Sequence, residues 1–269
     1  MDARHDVGGG ETRAGTAVKP VHFISDMHLG ARYLSDTHAH ERRVARFIDS
    51  IGADTSHLYI LGDALDYWYE YRYVAPRGHL RYFGALARLT DSRVPVTWMT
   101  GNHDIWLFDY LRGELGIEVV DAPMLATEIL GARFVLTHGD RVGAQTRGFR
   151  LISRLFRSRV AQRMYSAINP WYTIPFALGW SKSSRHSHGD IDRRQVMAAV
   201  DSACAEILAA YPDTQHIVMG HHHLPLQHDI PGTRADVTVL GDWVERMSYA
   251  TFDGKELVLT TKSAPEIVL

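Results

Sequence analysis

Residues 94–104 read Val94-Pro95-Val96-Thr97-Trp98-Met99-Thr100-Gly101-Asn102-His103-Asp104. An apolar run of strand length stops at a glycine, and an amide, an imidazole and a carboxylate follow at once. The same order recurs along the chain. Val21–Ser25 runs into Asp26-Met27-His28, and His57–Leu61 into Gly62-Asp63. Ala132–Thr137 runs into His138-Gly139-Asp140, and His216–Met219 into Gly220-His221-His222-His223. Segments with helical spacing lie between the first strands. One runs from about Asp36, a suitable N-cap, to Ile51, with Val44, Phe47, Ile48 and Ile51 on one side. His79–Leu89 is another, and Ile105–Leu115 reads as a third, closed by Gly116. Alternating strand and helix predicts an α/β sheet with helices on its faces. Ligands bind such sheets beyond the carboxyl ends of the strands, which is where the five polar blocks fall.

The composition narrows the class. At 45% hydrophobic and 22% charged residues, the 269-residue chain is globular rather than disordered or fibrous. Its 29 basic and 31 acidic residues nearly cancel, which argues against a generic nucleic-acid binder. A single cysteine excludes both a disulfide framework and a thiolate metal cluster. No stretch is apolar for long enough to span a bilayer. Residues 1–18 are glycine-rich with mixed charge and no apolar run, so a disordered leader is expected there, not a secretory signal. Residues 19–269 are expected to form one domain, located in the cytoplasm. The unusual count is 16 histidines, the commonest metal-ligand type.

The second half reads differently. Leu125–Leu130 and Ala132–Thr137 straddle Gly131 like a hairpin, and a long helix is expected from about Ile191 to Ala210, with Asp190 or Asp192 near its start. Short strands with turns at Pro231-Gly232 and Asp253-Gly254 follow to the end. Between about residues 141 and 189 the pattern is helical, with nine basic residues and no Asp or Glu. At about 100° per residue, Arg147, Arg150, Arg154 and Arg157 share one side of a helix, with Leu151, Ile152, Leu155 and Phe156 on the other. That is a basic amphipathic helix of the kind that lies on anionic membranes. As an insertion between His138 and His221 it is expected to form a helical cap over the polar blocks.

The blocks together supply carboxylate, amide and imidazole donors without sulfur. Such a set suits manganese, iron, zinc or magnesium, and its size suits two ions rather than one. The order D-x-H, GD, GNHD, H, GHxH resembles that of the calcineurin-like metallophosphoesterases. The resemblance implies a two-sheet α/β sandwich flanked by helices, with the cap as an insertion. It implies one metal held by Asp26, His28, Asp63 and His223, and a second by Asp63, Asn102, His138 and His221, with manganese the first expectation. His103 would stabilise charge or protonate a leaving oxygen, and Asp104 would orient it. His222, between two ligands, is expected to point away if the segment is extended.

Gly62-Asp63-Ala64-Leu65-Asp66-Tyr67-Trp68, GNHDIWLFDY, GHHHLPL and LGDW narrow the resemblance to the UDP-2,3-diacylglucosamine pyrophosphatases of lipid A biosynthesis. Many members of that family carry arginine where this chain has His103. The resemblance implies hydrolysis of a UDP-sugar lipid to UMP and 2,3-diacylglucosamine 1-phosphate. Substrate contacts are expected from Arg147, Arg150, Arg154, Arg157, Trp68, Lys182 and Arg185. The expected partners are that lipid and the anionic inner face of a membrane, held non-covalently, with neither nucleic acid nor a protein partner. The competing expectations are a phosphoesterase of nucleotides or nucleic acid, and a non-catalytic scaffold of the same fold.

Overall fold

The strands are short and their side chains alternate between two cores. In β1 (Val21–Ile24), Val21 and Phe23 face one core and Ile24 the other. In β2 (His57–Leu61), Tyr59 and Leu61 face the first, Leu58 and Ile60 the second. In β3 (Val96–Met99), Met99 faces the first, while Val96 and Trp98 face the second. This computed structural model describes residues 18–186 and 192–263, with side chains described except at 147, 180–186 and 263. The leader expected over residues 1–18 therefore lies, Val18 apart, outside the described residues. So do the side chains of Arg147, Lys182 and Arg185.

Strands β1, β2, β3 and β4 (Glu118–Val120) run parallel. With β10 (Arg246–Phe252) and β11 (Leu257–Ser263) they form a six-stranded sheet of order β11-β10-β1-β2-β3-β4. A second sheet has the order β5-β6-β7-β9-β8, from Leu125–Ile129, Ala132–Thr137, His216–Met219, Asp236–Val239 and Leu226–Asp229 respectively. In it β6, β7 and β9 are parallel. The β5–β6 hairpin turns through Leu130 and Gly131, both at positive φ, as a two-residue turn requires. Phe134, Leu136, Val218 and Leu240 pack against Phe23 and Leu61 between the sheets.

Helices close both outer faces. α1 (Thr37–Ile51) is capped by the Asp36 carboxylate, which accepts the Ala39 N–H at 2.8 Å. With α2 (Leu80–Asp91) and α3 (Tyr110–Leu115) it covers the first sheet. α7 (Arg193–Ala210), capped by Asp192, covers the second through Val200, Ala203, Cys204 and Ile207. The result is a two-sheet α/β sandwich flanked by helices, as expected. The helix read over Ile105–Leu115 is shorter than its periodicity suggested. Residues 105–109 are irregular, and one Glu70 carboxylate oxygen accepts the N–H groups of Phe108, Asp109 and Tyr110. That carboxylate satisfies the orphan donors at the start of α3, so the helix begins at Tyr110.

α4 (Arg147–Arg157), α5 (Arg159–Ser166) and α6 (Pro170–His186) form the insertion between β6 and α7. Alternate tyrosines of the stretch after β2 hold it. Tyr67 Oη lies 2.9 Å from Tyr165 Oη, Tyr69 Oη donates to the Gln162 carbonyl at 2.7 Å, and Tyr71 Oη lies 3.0 Å from Thr173 Oγ1. A period of two puts these three rings on one side of an extended segment.

Three histidines are held neutral inside this frame. Burial lowers His22, His40 and His57 to about 4. An unfolded histidine titrates near 6.5, so between pH 6.5 and about 4 the unfolded chain holds protons that the folded chain does not. Stability is then lost as the pH falls through that window. The melting temperature is expected to be several degrees lower at pH 5 than at pH 7; equal values would contradict the neutral, buried assignment.

Candidate metal centre

Each polar block leaves the carboxyl end of a parallel strand, and the two sheets bring these ends to one edge. Asp26 and His28 follow β1, Asp63 follows β2, and Asn102 and His103 follow β3. His138 follows β6, and His221 and His223 follow β7. The chain turns sharply at these points. Asp26, His28, Asp63, His221 and His223 have φ of 53°, 45°, 51°, 69° and 54°. Left-handed backbone costs a non-glycine residue about 1–2 kcal/mol and persists where surrounding contacts over-determine it. Two glycines permit the close approach. A Cβ on Gly101 would overlap the Asp63 carboxylate, and one on Gly220 would sit against Asp26 Oδ2 and Ser25.

The side chains then converge. Asp63 Oδ1 accepts the His103 N–H at 2.8 Å, while Oδ2 lies 3.4 Å from His138 Nε2 and 3.8 Å from His28 Nε2. Asp26 Oδ2 accepts the His221 N–H at 2.9 Å. Its other oxygen is 3.5 Å from His223 Nε2 and 3.8 Å from His28 Nε2. Potential ligand atoms of Asp26, His28 and His223 lie within 4.8 Å of one another, and so do those of Asp63, His138 and His221. Asn102 Oδ1 is 3.1 Å from His138 Nε2. The structure thus brings together all seven residues expected to hold metal, with Asp63 between the two groups.

The fit to cations can be tested on these atoms. Asp26 Oδ1 is fully buried with no hydrogen-bond partner among the described residues. Burial works to raise the Asp26 carboxyl, but the facing His223 and His28 hold it below the usual range. Burial also works to raise Asp63, and His138 and His103 hold it well below the usual range. Both groups are therefore carboxylates in a dry place, which calls for nearby positive charge. His138 Nδ1 donates to the Leu61 carbonyl at 2.8 Å, which turns Nε2 toward Asp63 Oδ2 and Asn102 Oδ1. Burial works to lower His138, but the facing Asp63 holds it well above its usual range, so a proton supplies the positive charge there. With that proton released, these oxygen and nitrogen atoms would suit a divalent cation between them.

The surroundings correct several expectations. Asp104 does not orient His103. Its two oxygens accept the N–H groups of Asp63, Ala64 and Gly101 and the Trp98 indole N–H, at 2.7–3.2 Å. It ties the β2 loop to the β3 loop, and burial pushes it up to about 6. The carboxylate beside His103 is Asp66, whose Oδ1 lies 3.5 Å from Nδ1 of His103 and 3.5 Å from Nδ1 of His28. Asp242 likewise backs His223 at 3.9 Å while its other oxygen accepts the N–H groups of Val244 and Glu245. The sequence showed both acids within GDALDYW and LGDW but gave no contact to assign them. Trp68 does not face substrate. It is 1% exposed under α2, and its indole N–H donates to Glu70. Nor is the His221–His223 segment extended, although His222 still stands outside both ligand groups.

Arg157 leaves the outer basic face but lines the cavity beside Asn102 and His103, so a substrate contact there stays open. Its guanidinium turns inward to Asp121, Thr100 Oγ1 and the Gly101 carbonyl, because α4 ends directly over those acceptors. Arg150 and Arg154 remain exposed. Removing the Asp104 acceptor would strand four buried donors, each worth about 1–3 kcal/mol. Asp104→Ala is expected to lose on the order of 3 kcal/mol or more in urea denaturation; a loss below about 1 kcal/mol would contradict its bracing role.

Known proteins resemble the chain along most of its length. The chain is 36% identical over 256 residues to a UDP-2,3-diacylglucosamine hydrolase of Porphyromonas gingivalis, covering 89% of this chain and 96% of that one. It is 28% identical over 232 residues to one of Aeromonas hydrophila, covering 84% and 91%. Among solved structures, a novel archaeal phosphodiesterase aligns over 90% of this chain and 99% of its own, at 11% identity and a TM-score of 0.45. The calcineurin-like phosphoesterase model matches residues 19–225, a span that contains every loop of the centre. The chain belongs to the calcineurin-like phosphoesterase family.

Proposed function

We propose that the protein hydrolyses UDP-2,3-diacylglucosamine at the α-phosphate, giving UMP and 2,3-diacylglucosamine 1-phosphate. The observation that carries this reading is a cavity of about 550 Å3 that opens from Asn102 and His103 into the insertion. Ile105, Trp106, Phe156, Met164, Ile168 and Phe176 are among its walls, so apolar surface continues directly from the candidate metal centre. A phosphate at one end and acyl chains at the other fit that division. The relatives named above as UDP-2,3-diacylglucosamine hydrolases support the same substrate.

Asp26, His28, Asp63 and His223 would hold one divalent cation, and Asp63, Asn102, His138 and His221 the other, with manganese our first choice of metal. Bound there, two cations supply charge neutralisation at the phosphate and an acidified water. Asp63 spans both positions because Oδ1 is fixed by the His103 N–H and Oδ2 faces inward. His103 stands at the mouth of the cavity, its Nδ1 3.2 Å from the Asp66 carbonyl. With Nδ1–H donating to Asp66, Nε2 is the nitrogen that holds or delivers a proton at the departing oxygen. α4–α6, the insertion expected over 141–189, act as the cap that excludes water and receives the acyl chains.

The outside of the cap supports work at a membrane. Leu151, Val160, Trp171 and Tyr172 are each more than two-thirds exposed, and Arg150, Arg154, Arg159 and Arg163 are exposed as well. Apolar and cationic groups mixed on one surface suit an anionic bilayer. We therefore assign the protein to the cytoplasm, peripherally bound to the inner face of the membrane. Arg150 and Arg154 are the retained surface contacts, while Arg147, Lys182 and Arg185 rest on the sequence alone. Among the described residues no helix is long and apolar enough to cross a membrane.

Purified protein with Mn2+ and UDP-2,3-diacylglucosamine is expected to release UMP, and Asp63→Ala to reduce that at least about a thousandfold. Turnover of a simple diester without UMP release would refute the substrate. For the surface, Arg150→Glu with Arg154→Glu is expected to weaken binding to phosphatidylserine vesicles at least about tenfold. Turnover of a small soluble diester should change little; equal loss on both measures would remove the membrane assignment.

A further inference from the structure

The α4–α5 corner ties the cap to the loops beneath it. The Phe156 carbonyl accepts the Trp106 indole N–H at 2.8 Å, and Ser158 closes α4 by donating to the Leu155 carbonyl at 3.0 Å. Arg157 stands between them. One Nη donates to Thr100 Oγ1 at 3.3 Å and to Asp121, and the other donates to the Gly101 carbonyl at 3.1 Å. The second nitrogen is also 3.6 Å from Asp140 Oδ2. Thr100 and Gly101 lead straight into Asn102, and Asp140 lies two residues past His138. The Asp140 side chain is 2% exposed, and Oδ2 has no hydrogen-bond partner among the described residues. Arg157 thus joins the cap to both loops that present Asn102 Oδ1 and His138 Nε2 to each other.

A planar guanidinium can meet several acceptors in one fixed arrangement, which an ammonium on a flexible stem does not reproduce. We propose that Arg157 is a positioning residue that sets the spacing of the Asn102 and His138 loops, and so links seating of the cap to binding of the second cation. The inference rests on the two-cation reading above. Linkage is reciprocal, so whatever fills the second position must also tighten the cap, and loosening the cap must weaken that position. The first position, built from Asp26, His28, Asp63 and His223, is not touched by Arg157 and should be spared.

The test is titration of chelator-stripped, full-length protein with Mn2+, following free Mn2+ by electron paramagnetic resonance. Wild type is expected to bind two equivalents. Arg157→Met should bind the first within about twofold of wild type and the second at least about tenfold more weakly. Arg133→Met, a surface control paired with Asp213, should bind both as wild type does. Loss of the Arg157 charge, which leaves only Arg141 beside buried Asp140, will also lower the stability of Arg157→Met. The double variant Arg157→Met with Asp140→Asn should recover melting temperature but not second-site affinity, which separates positioning from folding. In wild type, Mn2+ should also slow proteolysis within the cap, and in Arg157→Met it should not. Should Arg157→Met fail to fold, Arg157→Lys should show an intermediate loss at the second site. Wild-type affinity for both equivalents in either variant, once folded, would overturn the proposal. Fewer than two equivalents in wild type would overturn the two-cation reading beneath it.

Discussion

Asp26 accepts the His221 N–H across the gap between the two sheets, and its other oxygen stays buried with His223 and His28 opposite. This one carboxylate both joins the sheets at their carboxyl edges and requires a positive charge beside it. The bond from His138 Nδ1 to the Leu61 carbonyl repeats the pattern from the other side. The sandwich is therefore closed by the groups that form its site. The five left-handed residues are tolerated because these cross-sheet contacts fix them from both ends. Among the described residues the buried aspartates Asp26, Asp63, Asp66, Asp104, Asp140 and Asp242 all lie around this seam. Each has a distinct means of carrying its charge there.

Asp104 is surrounded by N–H donors and braces two loops. Asp242 accepts backbone N–H groups with one oxygen and backs His223 with the other. Asp66 lies behind both His28 and His103, and Asp140 lies against Arg157 and Arg141. That leaves Asp26 and Asp63 as the two carboxylates aimed inward, one at a single group of imidazoles and one at two. Two cations sharing Asp63, as proposed above, would fit this partition. The cap then meets the centre along one wall, where apolar surface begins immediately beyond His103.

Much of this was legible in the sequence because it lies in local order. Strand ends followed by polar blocks located the site, and the 3.6-residue period with Asp36 as a cap located α1 to within a residue. The grouping of Asp63 with its companions came from the resemblance of the block order to the calcineurin-like metallophosphoesterases. What failed depended on contacts between distant segments. Glu70 decides where α3 starts, yet it lies forty residues earlier. Asp66 rather than Asp104 stands beside His103, because backbone N–H groups, which carry no sequence signal, surround Asp104. Arg157 shares the helical side of Arg150 and Arg154, and only the end of α4 over Thr100 and Gly101 turns it inward. The positive φ values at the ligands have no sequence mark either, since they fall on Asp and His rather than glycine.

The central claim is that Asp63 Oδ2 lies between two cations. Anomalous scattering at the manganese edge, from crystals grown or soaked with Mn2+, tests it most directly. Two peaks are predicted, one among Asp26, His28, Asp63 and His223, the other among Asp63, Asn102, His138 and His221. A single peak at saturating Mn2+, or peaks that Asp63 does not contact, would contradict the account.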